Sequence, residues 1–453
     1  MKNSNKSGLA LIASAIKGEE MDYTAGSIRR AIIMLAIPMM LEMLMESVFA
    51  IVDLYFVGHL HNSSQAVQVV GLTESVLTII YSLAIGMSMA ATAVVARRVG
   101  EKNPDAAAHA GAQSILISIV FTIILGIAGF IFAKDILLLM GASEETSAAG
   151  TPFMRTMMGG SFVIMLLFVI NGVFRGAGNA AIAMKSLAIA NICNIILCPL
   201  LIRGIGPFPE MGLTGAAIAT TIGRSFGVVY QLINLSKGNG ALKMRIAHWK
   251  PDFPLIKSIV KIAMPGVLQF VIASCSWIFL ANLVATTGDE DSSAGYQTAL
   301  RLMMFFMLPA WGLSSAVATL VGQNLGAQKI DRAEKSVFQT IKYNMVFMAA
   351  ITLFTFLLGE WFISFFTNDE GVKNVAVIAV RIISAGYILY GIGMVMINAF
   401  NGAGDTWTPT YINLFGFWFF QIPLAFVLAK LFNYGPTGVF IAVPVAETAI
   451  AIT

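Results

Sequence analysis

The sequence predicts an all-α integral membrane protein, with twelve transmembrane helices in two pseudo-symmetric six-helix bundles (parallel repeats) around a central cleft. Three observations predict it. The first is composition: of 453 residues, 57% are hydrophobic and only 11% are Asp, Glu, Lys or Arg, against about 25% charge in a soluble domain. Mean hydropathy is +0.81. So few charges exclude a soluble enzyme and a disordered chain, and a net charge of +4 without a long basic run excludes a nucleic-acid binder. The second is the division of the apolar residues into blocks long enough to cross a bilayer. The third is an internal repeat.

A crossing helix needs roughly 20 mostly apolar residues. Reading between Gly, Pro and charge breaks gives spans near 31–57, 66–96, 106–133, 148–174, 180–203, 212–235, 256–286, 295–322, 332–358, 373–401, 408–432 and 436–453. Runs such as Ile115 to Phe132 do not alternate, which excludes a membrane β-barrel. Most of the 28 Lys and Arg fall in connections on the N-terminal side, including Arg97, Arg98, Lys243 and Lys261. The positive-inside rule therefore predicts a multi-pass inner (cell) membrane protein with both termini cytoplasmic. Residues 1–30 form a cytoplasmic lead-in, because the short apolar run Leu9 to Ile16 is followed by Lys17 without a cleavage pattern. The first bundle covers 31–235, a basic linker that touches lipid headgroups covers 236–255, and the second bundle covers 256–453.

The repeat is read from punctuation. Ala36-Ile37-Pro38 answers Ala263-Met264-Pro265; Val99-Gly100 answers Leu325-Gly326; Arg175-Gly-Ala-Gly-Asn179 answers Asn401-Gly-Ala-Gly-Asp405; Thr214-Gly215 answers Thr437-Gly438. Six spans per half put both halves in the same orientation. Two such bundles can rock against each other and expose a midplane site to alternate sides, which is a transporter architecture. The Gly-Ala-Gly pairs are expected to be turns between helices, since no strand precedes them and no Lys-Ser/Thr follows.

Acids within spans are costly and default to function. The first span carries Glu42, Glu46 and Asp53. At 100° per residue, Glu46 lies about 40° and Asp53 about 20° from Glu42, a stripe about 16 Å long. Three carboxylates cannot face lipid, so the stripe faces the bundle or a wet cavity and marks a proton or cation path. In the second half these positions are Gln269, Ala273 and Leu280, so coupling is expected in the N-terminal bundle. Substrate contact is then expected on the Met- and Phe-rich surface of the cleft, where flexible methionines such as Met303, Met304 and Met307 repack around varied ligands. Arg224 and Glu447 occupy corresponding places in the two halves; each pairs locally, or Arg224 neutralises part of the acidic stripe. Glu74 is a secondary candidate for the same cavity. His59 and His61 are read as solvated loop histidines, and Cys193, Cys198 and Cys275, within apolar runs, as small buried hydrophobes rather than metal ligands or disulfides. No metal or cofactor is expected.

The stretch Ala50 to Gly58, Val94 to Arg98 with Gly100, Asn171-x-x-x-Arg175-Gly-x-Gly178 and Gly212 to Thr220, in this order over twelve spans, resemble the multidrug and toxic compound extrusion (MATE) family of antiporters from about Ile28 onward. The resemblance implies export of amphipathic, often cationic, organic compounds, driven by inward flow of protons or sodium ions. It implies that Asp53 is the first-span cation or proton site, with Asn194 and Thr220 as polar partners and Asn171 as a looser match. There are departures. Cys198 stands before Pro199 where many members carry a second aspartate, Glu46 stands where glutamine is frequent, and Ala273 and Tyr390 replace carboxylates of some sodium-coupled members. Loss of an anionic oxygen weakens a hard-cation site, which tilts the expectation towards protons. The last span stops at Thr453 without a basic tail, as a shortened chain would. A monomer is expected, with small amphipathic molecules and lipid as partners. The alternative is a flippase for a lipid-linked or other large amphiphilic substrate, whose cavity should be strongly basic. A membrane-embedded enzyme is disfavoured by the lack of an HExxH, a Ser-His-Asp set or a paired His/Asp cluster.

Overall fold

The computed structural model describes residues 8–58, 63–238, 242–367 and 369–453, apart from the side chains of 50–55, 57, 58, 63 and 64. All regular secondary structure among the described residues is helical. An amphipathic helix α1 (Gly8–Lys17) leads to α2 (Ile28–Gly58), α3 (Ser63–Gly100), α4 (Pro104–Ile131), short α5 (Ala133–Leu139), α6 (Glu144–Gly159), α7 (Ser161–Ala177), α8 (Ala180–Arg203) and α9 (Gly212–Lys237). The second half holds α10 (Phe253–Thr287), α11 (Glu290–Gly326), α12 (Ile330–Ile363), α13 (Glu370–Ser384), α14 (Tyr387–Ala403), α15 (Trp407–Leu414), α16 (Ile422–Phe426) and α17 (Pro436–Ile452). Ten helices among the described residues are long and apolar enough to cross a membrane, eleven with the bent pair α13–α14 counted once, and α17 is a shorter apolar helix. Outer faces carry large apolar side chains, such as Ile124 at 60% and Leu357 at 71% exposure. The chain is a multi-pass membrane protein.

The helix boundaries follow local chemistry. Asn103 caps α4 by accepting from the Ala106 amide, with Pro104 in the first turn where no amide is needed. Asp252 caps α10 in the same way. The predicted Gly-Ala-Gly turns are present: Gly178 (φ +89°) ends α7 and Gly404 (φ +85°) ends α14, in the left-handed region that favours glycine.

Three expected spans are not straight helices. Span 148–174 divides at Gly160, where a Cβ would meet Thr221 at 2.6 Å. Span 373–401 bends by 56° between α13 and α14, at Gly386, where a Cβ would meet Pro444 of α17 at 2.5 Å. Span 408–432 is widened into π turns at Phe415–Gln421 and Val427–Leu431. Pro423 has no amide to donate, and the Ile422 amide bonds back to the Phe417 carbonyl, five residues away. Composition shows the apolar run in each case; the first two breaks come from tertiary packing and the third from the missing amide of Pro423.

Each half has its own core, with Met87, Ile115, Leu167 and Phe174 in the first and Leu280, Tyr296, Met307 and Phe440 in the second. The halves meet along α2, α3, α10 and α11, through residues such as Leu35, Met39 and Leu320. Repeat-related glycines make this contact. A Cβ on Gly100 would overlap the Gln323 carbonyl, and one on Gly326 would overlap the Arg97 carbonyl; these two contacts exchange under the repeat. Gly86 and Gly312 are likewise repeat mates, pressed against Val267 and Met39.

Among the described residues, direct hydrogen bonds between the halves lie at the end that carries the N-terminus. Thr319 donates to the Arg175 carbonyl (2.9 Å) and the Gln323 amide nitrogen to the Gly176 carbonyl (2.9 Å). The segment after α1 straps across this end. Tyr23 donates to the Gly178 carbonyl at 3.0 Å, while Arg332 donates to the carbonyls of Tyr23, Ala25 and Gly26 and Lys329 to that of Thr24. Lys102 pairs with Asp22 at 2.9 Å. Partial burial works against the Asp22 charge, but hydrogen bonds from Thr24 and Lys102 prevail and bring its carboxyl down to about 2. Its contribution is therefore complete above the unfolded value of about 3.9 and lost only as pH falls through about 2. Arg332→Ala is expected to accelerate tryptic cleavage at Lys17 and Arg29 at least about tenfold, since charge-assisted bonds to three carbonyls are lost. Unchanged cleavage would show that the strap is held elsewhere.

Candidate functional site

The acidic stripe of α2 faces inward. Glu42 is 2% exposed. Its Oε1 accepts a hydrogen bond from Asn171 Nδ2 at 2.9 Å and lies 3.8 Å from the Arg175 guanidinium. Asn171 Oδ1 accepts in turn from Ser186 and Gln231, so α2, α7, α8 and α9 converge on one carboxylate. Glu42 Oε2 is buried without a partner among the described residues. One turn further, Glu46 Oε1 pairs with Arg224 at 3.0 Å. Arg224 is 2% exposed and lies over the Phe49 and Tyr81 rings at 4.8 and 5.9 Å. Of the two readings of Arg224 left open by the sequence, neutralisation of the stripe is the observed one. A cavity of about 230 Å³ between the halves is lined by Glu42, Glu46, Asn171 and Arg175 together with Trp311 and Asn398 from the second half.

Farther along α8, Asn194 Nδ2 donates to Thr220 Oγ1 at 3.1 Å and the Cys198 thiol approaches Asn194 Oδ1 at 3.9 Å. All three are buried. The structure thus brings together Asn194, Thr220 and Cys198, and separately Glu42 and Asn171. Asn171 touches Glu42 rather than the Asn194 cluster, because it sits one turn from the Arg175 end of α7. Asp53 lies outside the residues whose side chains are described, as do His59 and His61. Glu74 is exposed and lines neither cavity described here. Cys275 is exposed rather than buried and Cys193 is half-buried; neither is in a disulfide.

The second half repeats the constellation in neutral form. Gln269, at the place of Glu42, donates to Asn401 Oδ1 (3.2 Å) and the Thr406 carbonyl (3.0 Å), and Asn401 stands where the first half has Arg175. Beside it a second cavity of about 250 Å³ is lined by Gln269, Ala273, Met303, Met304, Met307 and Tyr390. The expected substrate-facing residues therefore do share one surface. A carboxylate that belongs to no sequence motif, Glu447 of α17, 5% exposed, lines the same cavity. Its only sequence signal was an acid within a span, opposite in sign to its repeat mate Arg224.

A family model described as MatE matches residues 38–200 and again 265–427, one match in each half. A probable multidrug resistance protein NorM of Thermotoga maritima is 27% identical over 414 residues, covering 91% of this chain and 88% of the relative. The multidrug export protein MepA of Staphylococcus aureus (strain N315) is 25% identical, covering 96% and 95%. A crystal structure of MATE in complex with MaD3S superposes with a TM-score of 0.89 at 24% identity, over 95% of both chains. An outward-facing multidrug resistance MATE family transporter of the MOP superfamily gives 0.89 at 24% identity, over 99% and 96%. With the family model matched twice over most of its length, in the halves whose glycines and polar clusters mirror one another, the chain belongs to the MatE family.

Proposed function

We propose that this protein is a secondary active transporter that exports amphipathic, cationic organic compounds in exchange for protons. It works by alternating access across the cell membrane as a monomer with both termini cytoplasmic. The ten long helices, the bent pair α13–α14 and α17 account for twelve crossings in two six-helix bundles. The observation that carries the reading is the pair of cavities at the junction of the halves, one acidic and one rich in methionine and aromatic residues, with walls shared at Met89, Trp311 and Asn398.

The coupling residues are Asp53, Glu46 and Glu42, with Asn171, Asn194 and Thr220 as polar partners. Glu42 is tied to the closure by α7: the carboxylate engages Asn171 and Arg175, and the backbone carbonyls of Arg175, Gly176 and Gly178 receive Thr319, Gln323 and Tyr23. A proton arriving on the carboxylate removes its attraction for Arg175, and the end of α7 that fastens the halves is freed to shift. The donor set supports protons over sodium, because Cys198 supplies a thiol rather than an anionic oxygen and its hydrogen bond occupies Asn194 Oδ1. Glu42 and Glu46 on the first cavity and Glu447 on the second also suit cationic cargo better than the pyrophosphate of a flippase substrate.

Proteoliposomes loaded with a cationic dye test the coupling. A pH gradient alone is expected to drive antiport, and Asp53→Asn or Glu42→Gln to lower it about tenfold or more. Transport driven by sodium alone would overturn the proton reading, and full coupled export by both variants would overturn the site.

A further inference from the structure

We propose that Glu74 of α3 and Arg301 of α11 form an ion pair that fastens the far end of the cleft when the end bearing the N-terminus opens. Both residues are exposed, and among the described residues neither has a partner for its charge. A charge facing lipid is costly, so each needs a wet surrounding, and helix geometry supplies it. Tyr81, Ile85 and Thr92 of α3 line the first cavity, and at 100° per residue Glu74 lies within about 20° of all three. Gly71, Ser75 and Thr78 are exposed beside it, while exposed Ile79 lies about 140° round the helix. On α11, Arg301 lies about 20° from Leu308, which lines both cavities, and about 40° from Ser315, which lines the first. The cavity-lining stripe of each helix thus runs on to a charged residue at the mouth, negative on the first half and positive on the second.

The repeat sets the two charges at one height. Gly100 and Gly326 end α3 and α11 and press each helix against the other's backbone. Glu74 stands 26 residues before Gly100, and Arg301 stands 25 before Gly326. Both therefore lie about 38 Å from the closed contact along their helices. Rocking the halves about the cleft separates the glycine contacts and carries the two stripes towards each other at the mouth.

The signs of the charges suit a gate. Opening the N-terminal end gives up the bonds from Thr319 and Gln323 to the end of α7, and an attraction at the opposite end offsets part of that loss. Like charges at these places would resist closure. A single pair in a wet mouth is weak, as a contact that must reopen in every cycle requires. Glu42 and Glu46 already have guanidinium partners within the first half, so their pairing does not depend on the mouth.

The inference rests on the alternating-access reading, so closure and export are measured separately. Full-length protein carrying Cys193→Ser and Cys275→Ser is spin-labelled at Gln68→Cys and Gln297→Cys, exposed positions farther out on α3 and α11, and placed in nanodiscs. Buried Cys198 stays in place. Electron–electron distance measurements are expected to show a short-distance population in this labelled parent. That population should lose most of its amplitude in Glu74→Arg and in Arg301→Glu, which set like charges face to face, and return in Glu74→Arg/Arg301→Glu. Glu74→Gln, which removes the attraction without adding repulsion, should fall between. Because both sites are exposed, the variants should melt close to the parent. Ethidium export from vesicles is expected to fall at least about tenfold in each reversal and to recover in the exchange. A short-distance population that is absent from the parent, indifferent to the reversals, or not restored by the exchange would overturn the pair. Export that continues in such a protein would leave the transport reading intact. A population that follows the charges in a protein that exports nothing would uphold the pair and sink that reading.

Discussion

Gly100→Ala and Gly326→Ala are each expected to reduce export more than about tenfold, with the protein still folded in the membrane. Each glycine sits at the end of a long helix, α3 or α11, and the partner atom that a Cβ would strike is a backbone carbonyl oxygen, of Gln323 or Arg97. A flexible side chain could move aside; a helix backbone moves only with its whole half. Overpacking of this kind costs about 1–3 kcal/mol, and 1.4 kcal/mol already changes a conformational equilibrium tenfold. Because the strain exists only while the halves touch, it acts on the closed arrangement and spares the cores within each half. Distances between spin labels across this end should lengthen in both variants. Gly71→Ala is the control, since nothing lies within 4 Å of its Cβ position, and it should export normally. A closed, fully active Gly100→Ala protein would show that this contact is not part of the cycle.

This contact also shows how far the sequence could be read. Val99-Gly100 and Leu325-Gly326 were visible as matching punctuation, and hydropathy alone located the apolar runs. What the pattern does not contain is the reason for those glycines: each exists for a backbone hundreds of residues away. The same limit applies to the kinks. The run 373–401 reads as one span because every residue suits a helix, whereas its bend is imposed by Pro444 from another helix. At the candidate site, periodicity put Glu42 and Glu46 on one face, and the structure places both on the shared cavity. Periodicity within α2 could not show that Arg224 of α9 reaches Glu46, or that Asn171 turns to Glu42 instead of the Asn194 cluster. Glu447 has no neighbouring acid to form a stripe, and the lack of a cation among the described residues that line its cavity is a property of the fold.

The pairing of Glu46 with Arg224 allows stability to be separated from coupling. Arg224 is almost fully buried, so Glu46→Gln removes the anion it pairs with among the described residues and Arg224→Gln removes the cation paired with Glu46. Removing one partner of a buried pair costs on the order of 3 kcal/mol, whereas replacing both with neutral groups is often tolerated. Each single variant is therefore expected to melt well below the wild type, and Glu46→Gln/Arg224→Gln to recover most of the loss. Thermal unfolding in the same detergent measures this. Antiport by the stable double variant then reports on the carboxylate itself. If Glu46 shares the coupling proton, as proposed, the double variant binds dye but exports it slowly and with weakened dependence on the pH gradient. If it exports at the wild-type rate with the wild-type dependence, Glu46 belongs to the scaffold that neutralises Arg224, and coupling falls to Glu42 and Asp53 alone.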